Sequence, residues 1–462
     1  MPALSILSPT TGKVIASLPA DDALSVRARF RAARGAQPAW AGLSLQTRLA
    51  IIRGFRAHIQ NETDTLARVL TLETGKPITQ ARAELKGLLP RIDFFLQETP
   101  RALRRETVSS DRRTGLAEVI TREPLGVIAN ISAWNYPYYV GSNVFIPALL
   151  TGNAVLYKPS EFAAQTGLHI ARLLHESGVP QDIFATLVGT AEVGSALLRQ
   201  PIHGVFFTGS VATGKKIARA VAGRMIKVQL ELGGKDPAYV CNDADVVKTA
   251  AALADGAFYN TGQSCCSVER IYVHHAIFEQ FVAAFVDVVK RFPIGDPLRP
   301  TTYIGPLTRA PQLAVLEAQI ADALKKGARL LTGGKRRLGR RGNFFPPTVL
   351  VDVNHRMSLM REESFGPVIG IMAVRDDTEA IARMNDTDYG LTAAVYTPDE
   401  HRARSILDEV SSGSAYWNCC DRVSPRLPWS GTKDSGLGLT LSRYGIQTFT
   451  RERAWHLRHT MD

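Results

Sequence analysis

The first hundred residues carry apolar side chains at the spacing of amphipathic helices. One series is Leu49, Ile52, Phe55 and Ile59, and a second is Leu85, Leu88, Leu89, Ile92 and Phe95. Side chains three or four positions apart lie on the same face of a helix. We therefore predict that this part of the chain is mostly helical and that each series is a packing face.

A different pattern begins at Leu125. Short β-rich runs alternate with helical stretches, and these runs are VIANI, NAVLYK, ATLV, GVFFTG and KVQLEL. Such alternation is typical of a parallel sheet with crossover helices. A second set of strand candidates, again interleaved with helical stretches, covers 237–241, 270–273, 367–374 and 391–396. The fold class is therefore predicted to be α/β, with two α/β domains.

Three other segments need separate interpretation. Segments 105–122 and 447–458 fit neither set and look like exposed strands that could pair with another subunit. Segment 124–157 has no charged side chain, and a membrane-spanning helix needs roughly 20 predominantly apolar residues. Because Pro137 and Pro147 interrupt it, we predict a buried strand, loop and helix there and no association with a membrane.

The composition is that of a globular protein and excludes disorder, collagen and coiled coil as descriptions of the whole chain. The chain has 462 residues, of which 45% are hydrophobic and 21% charged. Five cysteines without metal-ligand spacing disfavour a disulfide framework and a metal site, and they favour a reducing compartment. Because the start of the chain lacks the features of a secretory signal, we expect a cytoplasmic protein.

The charge balance is basic, with 55 Lys and Arg against 43 Asp and Glu, for a formal net charge of +12. Such a charge could attract anionic substrates, cofactors or nucleic acid. Five of these basic residues fall within 335–341. No recognition helix or aromatic stacking platform lies nearby, so we interpret this run as a solvated loop and expect no nucleic-acid partner.

A glycine-containing turn at 206–216, FFTGSVATGKK, points to a phosphate site. Gly209 and Gly214 have the spacing of a P-loop, but Lys216 stands where Ser or Thr must bind magnesium, so the P-loop interpretation fails. Gly209 still permits a tight turn after a strand, and a helix beginning near Ser210 would direct free N–H groups at a phosphate. In an alternating α/β sheet the natural ligand is a dinucleotide.

Two further segments contain candidate catalytic groups. The run YNTGQSCCSVER places Cys265 and Cys266 at the predicted end of a helix. A catalytic thiol needs exposure and a lowered pKa, whereas a buried free cysteine, our interpretation of Cys241, packs as a small apolar group. Glu231 ends an apolar strand, an expensive position for a charge. Partial burial would make it a general base, and the alternative is a buried ion pair.

Together these motifs resemble the aldehyde dehydrogenase superfamily over nearly the whole chain. They are SAWNYP, KPSE, FTGSxxxG, LELGGK, the GQxC cysteine and ESFGP, in the family's order and spacing. The resemblance implies a variant Rossmann dinucleotide-binding domain, a second α/β catalytic domain and a small β oligomerisation element, and hence a homodimer or homotetramer. The corresponding ranges are 1–104 with 124–232, then 233–437, and lastly 105–123 with 438–462.

The resemblance also implies catalytic roles. Cys265 would attack the aldehyde, and the Asn135 amide and the Cys265 backbone N–H would hold the oxyanion of the thiohemiacetal. Hydride would leave to the nicotinamide. Water activated by Glu231 would then hydrolyse the thioester to a carboxylate.

For the cofactor, the resemblance implies that Lys158 and Glu161 bind the adenosine ribose, and that Gly209 and Ser210 form the pyrophosphate turn. Glu363 would bind the nicotinamide ribose with Phe365 beside it. Because the Glu161 carboxylate would repel a 2′-phosphate, we expect NAD to be preferred and NADP to remain possible.

The substrate is open between two classes. Segments with five aromatic residues should flank the substrate tunnel, and they favour apolar or aromatic aldehydes: Trp134, Tyr138, Tyr139, Trp417 and Trp429. Arg422 and Arg426, near a second cysteine pair that we interpret as packing, favour a semialdehyde such as succinate semialdehyde. In PWSGTKDSGLG a Trp and a Ser replace residues of the family's PFGG, which leaves the substrate range open.

Two other functions are less favoured. A CoA-acylating dehydrogenase has no need of a hydrolytic base such as Glu231. A non-catalytic binding protein of the same fold would not be expected to keep Cys265, Glu231 and Asn135 together.

Overall fold

The N-terminal part of the chain folds into a hairpin followed by four helices. The computed structural model describes residues 3–111, 113–336 and 341–458. Strands β1 (Ala3–Leu7) and β2 (Val14–Pro19) pair antiparallel. The helices are α1 (Ala23–Gly42), α2 (Leu45–Asn61), α3 (Thr63–Thr74) and α4 (Ile78–Ala102). The helical prediction is confirmed and its first apolar series is buried, but the hairpin was not predicted.

The first large sheet has six strands. Its parallel strands are β5 (Val127–Ile131), β6 (Ala154–Lys158), β7 (Phe184–Thr186), β8 (Gly204–Thr208) and β9 (Lys227–Glu231), and they alternate with α5 (Pro137–Leu150), α6 (Ala164–Glu176), α7 (Ala191–Leu198) and α8 (Val211–Val221). The order is β9-β8-β5-β6-β7, and a short strand from much later in the chain joins β9 antiparallel. All five predicted runs contribute strands, so the alternating pattern is confirmed.

The second large sheet has seven strands. The elements after β9 are β10 (Pro237–Val240), α9 (Val246–Phe258), β11 (Arg270–His274), α10 (Phe278–Lys290), α11 (Pro311–Lys325), β12 (Arg329–Thr332), β13 (Thr348–Val351), β14 (Val368–Val374), α12 (Asp377–Asn385), β15 (Tyr389–Gly390), β16 (Thr392–Tyr396), α13 (Glu400–Asp408) and β17 (Ser414–Trp417). The sheet order is β12-β13-β14-β11-β10-β16-β17, parallel except for β12. The four predicted strands are present, whereas β12, β13 and β17 were not predicted.

A small antiparallel sheet stands apart from these two. Strands β3 (Glu106–Asp111) and β4 (Leu116–Pro124) pair with each other. The remaining elements are β18 (Thr432–Lys433), β19 (Gly436–Leu437), α14 (Ser442–Gln447) and β20 (Thr450–Arg458). Strand β20 pairs with β4 along its whole length, and β19 is the strand that joins β9. The predicted strand character of 105–122 and of 450–458 is confirmed, while pairing with another subunit and the domain boundaries stay predictions.

The uncharged segment 124–157 contains β5, a loop, α5 and β6. Helix α5 has 14 residues, almost all of them buried. No helix in the described part of the chain is long and apolar enough to cross a membrane. Of the basic run 335–341, residues 337–340 lie outside the described residues, and Arg336 forms an ion pair with Glu317.

Candidate active site

A cavity of about 640 Å³ brings three predicted catalytic residues together. Asn135 follows β5, Glu231 ends β9, and Cys265 lies beyond α9, so three separate segments supply them. In a parallel sheet the carboxyl ends of the strands share one edge, which places the first two near each other. The fold therefore creates a proximity that does not exist along the chain.

The loop before Cys265 has an unusual backbone. Helix α9 ends at Phe258, and a 3-10 turn covers Tyr259–Gly262, so Cys265 lies in the following loop and not at a helix end as predicted. Asn260 and Thr261 have φ values of 52° and 59°, in the left-handed region. Backbone strain of this kind persists only where surrounding contacts impose it. Here the side-chain amide of Asn260 donates to the carbonyl of Asn135 at 3.2 Å.

The side-chain amide of Asn135 is also anchored to this loop. Its Nδ2 donates to the carbonyl of Gln263 at 3.2 Å. An asparagine amide has two N–H donors, so this bond leaves one for another acceptor. The residue is 4% exposed, and its orientation is set by the same loop that carries Cys265. The arrangement suits an oxyanion donor.

The carboxyl group of Glu231 is enclosed by neutral donors. It is 6% exposed, and burial raises its pKa to about 7. The Thr440 hydroxyl donates to Oε1, the Gln229 amide donates to Oε1 at 3.0 Å, and the Thr208 hydroxyl donates to Oε2 at 3.4 Å. No described cation pairs with it, so the alternative of a buried ion pair is wrong within the described structure. A carboxyl group with this pKa can accept a proton near neutral pH.

The two adjacent cysteines have different surroundings. Cys265 is half-buried, whereas Cys266 is 4% exposed and its thiol donates to Asp421 Oδ1 at 3.0 Å. Its neighbour Cys265 and burial both raise the pKa of Cys266 well above its ordinary value. Cys266 therefore stays a thiol, and Cys265 is the better candidate nucleophile. The pair Cys419 and Cys420, interpreted from sequence as packing, also lines the cavity.

The candidate cofactor residues lie at the carboxyl ends of the first sheet. Lys158 ends β6, and its Nζ lies 4.0 Å from Glu161 Oε2. Helix α8 begins one residue after Ser210, whose hydroxyl accepts from the Thr213 N–H at 3.4 Å, which confirms the helix predicted after Gly209. A helix N-terminus at this edge is suited to a phosphate.

Glu363 and Phe365, in the loop before β14, contact residues that follow β9 and β5. Glu363 Oε1 accepts from the Gly234 N–H at 3.1 Å, and burial raises the pKa of Glu363 to about 8. A Cβ added to Gly233 would lie 2.5 Å from both carboxylate oxygens, so an alanine there would displace the Glu363 carboxylate. The Trp134 ring lies 5.6 Å from that of Phe365. These polar strand ends, the helix N-terminus and the Glu363 carboxylate held against the Gly233–Gly234 backbone fit a dinucleotide.

The predicted substrate residues divide into two groups. Tyr139, Arg422 and Trp429 line the cavity, and so does Arg426. Trp134 is not among the residues that line it, and its ring packs against Phe365, so its role as a substrate residue stays a prediction.

The two other aromatic residues are also outside the cavity. The Tyr138 side chain is completely buried in the core. Trp417 is 39% exposed, and its ring N–H donates to the Thr397 carbonyl. The direction of each of these side chains is set by the local backbone, and knowing which segment a residue belongs to does not reveal that direction.

Sequence reasoning missed several residues of the cavity wall. They are Arg91, Tyr136, Asn143, Asp255, Tyr259, Tyr396 and Asp421. Arg91 carried a signal, since its spacing from Leu88 and Phe95 puts a charge on a predicted apolar face. The others had none that distinguishes them from ordinary core or surface positions.

A family model for the aldehyde dehydrogenase family matches residues 2–455. The chain belongs to the aldehyde dehydrogenase family. It is similar to a 3,6-anhydro-alpha-L-galactose dehydrogenase from Streptomyces coelicolor, with 35% identity over 99% of this chain and 94% of that protein. It is also 34% identical to an NADP(+) succinate-semialdehyde dehydrogenase from Escherichia coli, over 97% of this chain and 92% of the relative.

The fold comparison agrees. A crystal structure of an NAD-dependent aldehyde dehydrogenase from Sinorhizobium meliloti matches with a TM-score of 0.96 and 32% identity, covering 100% of this chain and 92% of that one. This aldehyde dehydrogenase is therefore an oxidoreductase that uses NAD or NADP. Because its relatives are named for different aldehydes, family membership leaves the substrate open.

Proposed function

We propose that the enzyme oxidises an aldehyde to the carboxylic acid through covalent catalysis at Cys265. The observation that supports this proposal is the meeting of Cys265, Glu231 and Asn135 in one cavity. The Cys265 thiolate adds to the aldehyde carbon, forming a C–S bond and an oxyanion. The free N–H of the Asn135 amide and the Cys265 backbone N–H donate to that oxyanion.

The second half of the reaction uses Glu231. A bound dinucleotide would supply the hydride acceptor, and loss of hydride from the reacting carbon would leave a thioester on Cys265. Glu231 takes a proton from water, the hydroxide oxygen adds to the thioester carbon, and the C–S bond breaks to release the Cys265 thiolate and the acid. A base with a pKa of about 7 is partly ionised at neutral pH, as this step requires.

For the cofactor we propose a preference for NAD. Lys158, Glu161, Gly209, Ser210, Glu363 and Phe365 would hold the dinucleotide. Glu161 is partly exposed and lies three residues after β6, where its carboxylate would accept hydrogen bonds from a ribose and repel a 2′-phosphate. Lys158 Nζ, 4.0 Å from Glu161 Oε2, reduces that repulsion, so NADP is used less well and not excluded.

For the substrate we propose a short aldehyde with a carboxylate at its far end, such as succinate semialdehyde. Arg422 and Arg426 line the cavity, are exposed and form no ion pair with the described carboxylates. The alternative, an apolar or aromatic aldehyde, is supported by three aromatic residues in the same wall, Tyr136, Tyr139 and Trp429. Together with Arg91, three cations line the cavity, and they favour the substrate that carries a carboxylate.

A test of the mechanism uses two variants with succinate semialdehyde, butanal and benzaldehyde. Cys265→Ala is expected to lose oxidation and keep dinucleotide binding. Glu231→Gln is expected to give a burst of reduced cofactor followed by slow turnover. Substantial oxidation by the alanine variant would contradict the assignment of Cys265.

The same assay distinguishes a hydrolytic enzyme from a CoA-acylating one. We expect free acid to form at full rate without CoA, and a strict requirement for CoA would support the acylating alternative. A cytoplasmic location and assembly as a homodimer or homotetramer stay predictions.

A further inference from the structure

Arg91 is a buried cation in the wall of the catalytic cavity. It belongs to α4, far along the chain from the loop that carries Asn135 and from the strand that ends at Glu231, and it is 4% exposed. Burying a guanidinium is costly unless its donors and its charge are satisfied. The bonds that Arg91 makes are therefore informative.

The guanidinium is only partly satisfied. Its Nη1 donates to Asn143 Oδ1 at 2.6 Å, and its Nη2 donates to the Val423 carbonyl at 3.3 Å. Its Nε has no hydrogen-bond partner in the described part of the protein. Because a guanidinium has five N–H donors, these two bonds leave three of them free.

The charge of Arg91 is not neutralised by contact. No described carboxylate lies within ion-pair distance of it, although the charges of Glu84 and Glu231 act on it from farther away. Glu84 is paired with Lys76, and Glu231 is bound by the neutral donors already described. Burial lowers the pKa of Arg91, but the ordinary value is so high that the group stays protonated.

The two aspartates of the cavity do not neutralise Arg91 either. Asp421 Oδ1 accepts from the Ser264 hydroxyl at 3.0 Å and from the Cys266 thiol, and burial raises its pKa. Asp255 is exposed and accepts from the Tyr303 hydroxyl at 2.5 Å. Both carboxyl groups therefore have partners of their own.

The guanidinium is also rigidly oriented. Its central carbon lies 4.3 Å from the centroid of the Tyr139 ring, which packs against one face. Asn143 on α5 and the Val423 carbonyl hold the two terminal nitrogens. A fixed fork of donors matches the two oxygens of a carboxylate, and it loses little entropy on binding.

We propose that Arg91 binds the carboxylate at the far end of the aldehyde substrate. This inference rests on the proposed function and names the residue that would select an anionic substrate. Arg422 and Arg426 are exposed, so water and salt weaken their attraction for an anion. Arg91 is enclosed, where the same attraction is stronger and more selective. Asn143 is the positioning residue that holds its guanidinium.

A different role for Arg91 predicts a different result. Its charge also lowers the pKa of Glu231, so its removal could slow thioester hydrolysis. That effect would be the same for every aldehyde, since it acts on the enzyme. The ratio of kcat/KM for a charged and an uncharged aldehyde therefore isolates recognition.

The test compares succinate semialdehyde with its uncharged methyl ester. Arg91→Met is expected to lower kcat/KM for the acid about 100-fold, mainly through KM, and to change the ratio by nearly the same factor. Arg91→Lys keeps the charge and should lose the preference in part. Lys86→Met, which removes an exposed cation from the same helix, is the matched control and should leave the ratio unchanged.

The outcomes separate the two proposals. If the wild-type enzyme does not prefer the acid over the ester, the proposed substrate class is wrong and Arg91 has no such role. If the wild type prefers the acid but Arg91→Met lowers kcat/KM equally for both substrates, the proposed substrate class stands and the role of Arg91 is overturned. Should Arg91→Met fail to fold, the ratio measured with Arg91→Lys decides, and an unchanged ratio overturns the inference.

Discussion

The hydroxyl of Thr440 is expected to set the pH at which Glu231 acts as a base. Thr440 is completely buried, and its hydroxyl donates to Glu231 Oε1. Burial raises the pKa of Glu231 to about 7, and this hydrogen bond opposes that effect because it stabilises the ionised form. Thr440→Val replaces the hydroxyl by a methyl group of similar volume and leaves the backbone bonds to Trp429 intact.

The size of the effect follows from the hydrogen bond that is lost. A hydrogen bond to a charged group contributes about 1.5–3 kcal/mol. A change of about 1.4 kcal/mol moves a pKa by about one pH unit. Because Gln229 and Thr208 continue to donate to the carboxylate, we expect a rise of about one pH unit. At pH 7 the ionised fraction would fall from about a half to about a tenth, a fivefold loss of base.

The assay is the pH dependence of the steady rate that follows the burst of reduced cofactor. Glu231 must be ionised to accept a proton, so the rate rises with pH through its pKa. The variant should be slower near neutral pH and regain the wild-type rate in alkaline solution. Thr208→Val, which removes a longer bond of 3.4 Å, is the control and should shift the profile less. An unchanged midpoint, or an equal loss at every pH, would refute the reasoning.

Three further predictions concern the cofactor and the substrate. Glu161→Gln should lower the preference for NAD over NADP in kcat/KM, because it removes the charge that repels a 2′-phosphate; an unchanged ratio contradicts this. Gly233→Ala should weaken NAD binding measured by titration, since its Cβ would lie 2.5 Å from both Glu363 oxygens and displace that carboxylate. Wild-type affinity would contradict a role of this carboxylate position in NAD binding. Arg422→Ala should raise KM for succinate semialdehyde about threefold and leave that of butanal unchanged, as expected for an exposed cation; equal changes remove Arg422 from recognition.

Local sequence patterns were sufficient for the parallel strands of the first sheet and for the turn after β8. VIANI and GVFFTG are mostly apolar, as is typical of strands buried on both faces, while KVQLEL alternates apolar with polar residues. Each run coincides with a strand of the first sheet. The Gly209 turn and the helix after Ser210 follow from preferences that act within a few residues. By contrast β12 and β17 are short and only partly buried, so their patterns are weak without their pairing partners.

The sequence by itself determined the chemical inventory of the site: a cysteine after a glycine turn, a glutamate at a strand end and an asparagine after another strand. Each of these features can be recognised from the residues next to it along the chain. Only the tertiary structure decided which side chains share the cavity. Trp134 and Asn135 are adjacent in sequence, yet only Asn135 lines the cavity, because the two side chains leave the bend between β5 and α5 in different directions.

Arg91 also shows that sequence alone does not reveal which residues surround a side chain. Its spacing on α4 marked it as a charge on a packing face, which sequence alone would assign to an ion pair or to solvent. Helix α4 packs against α5, which brings Arg91 into contact with Asn143. The loop that contains Val423 also contacts Arg91. Contacts between residues far apart along the chain have no local signature, so the surroundings of this cation were decided by the packing of the helices.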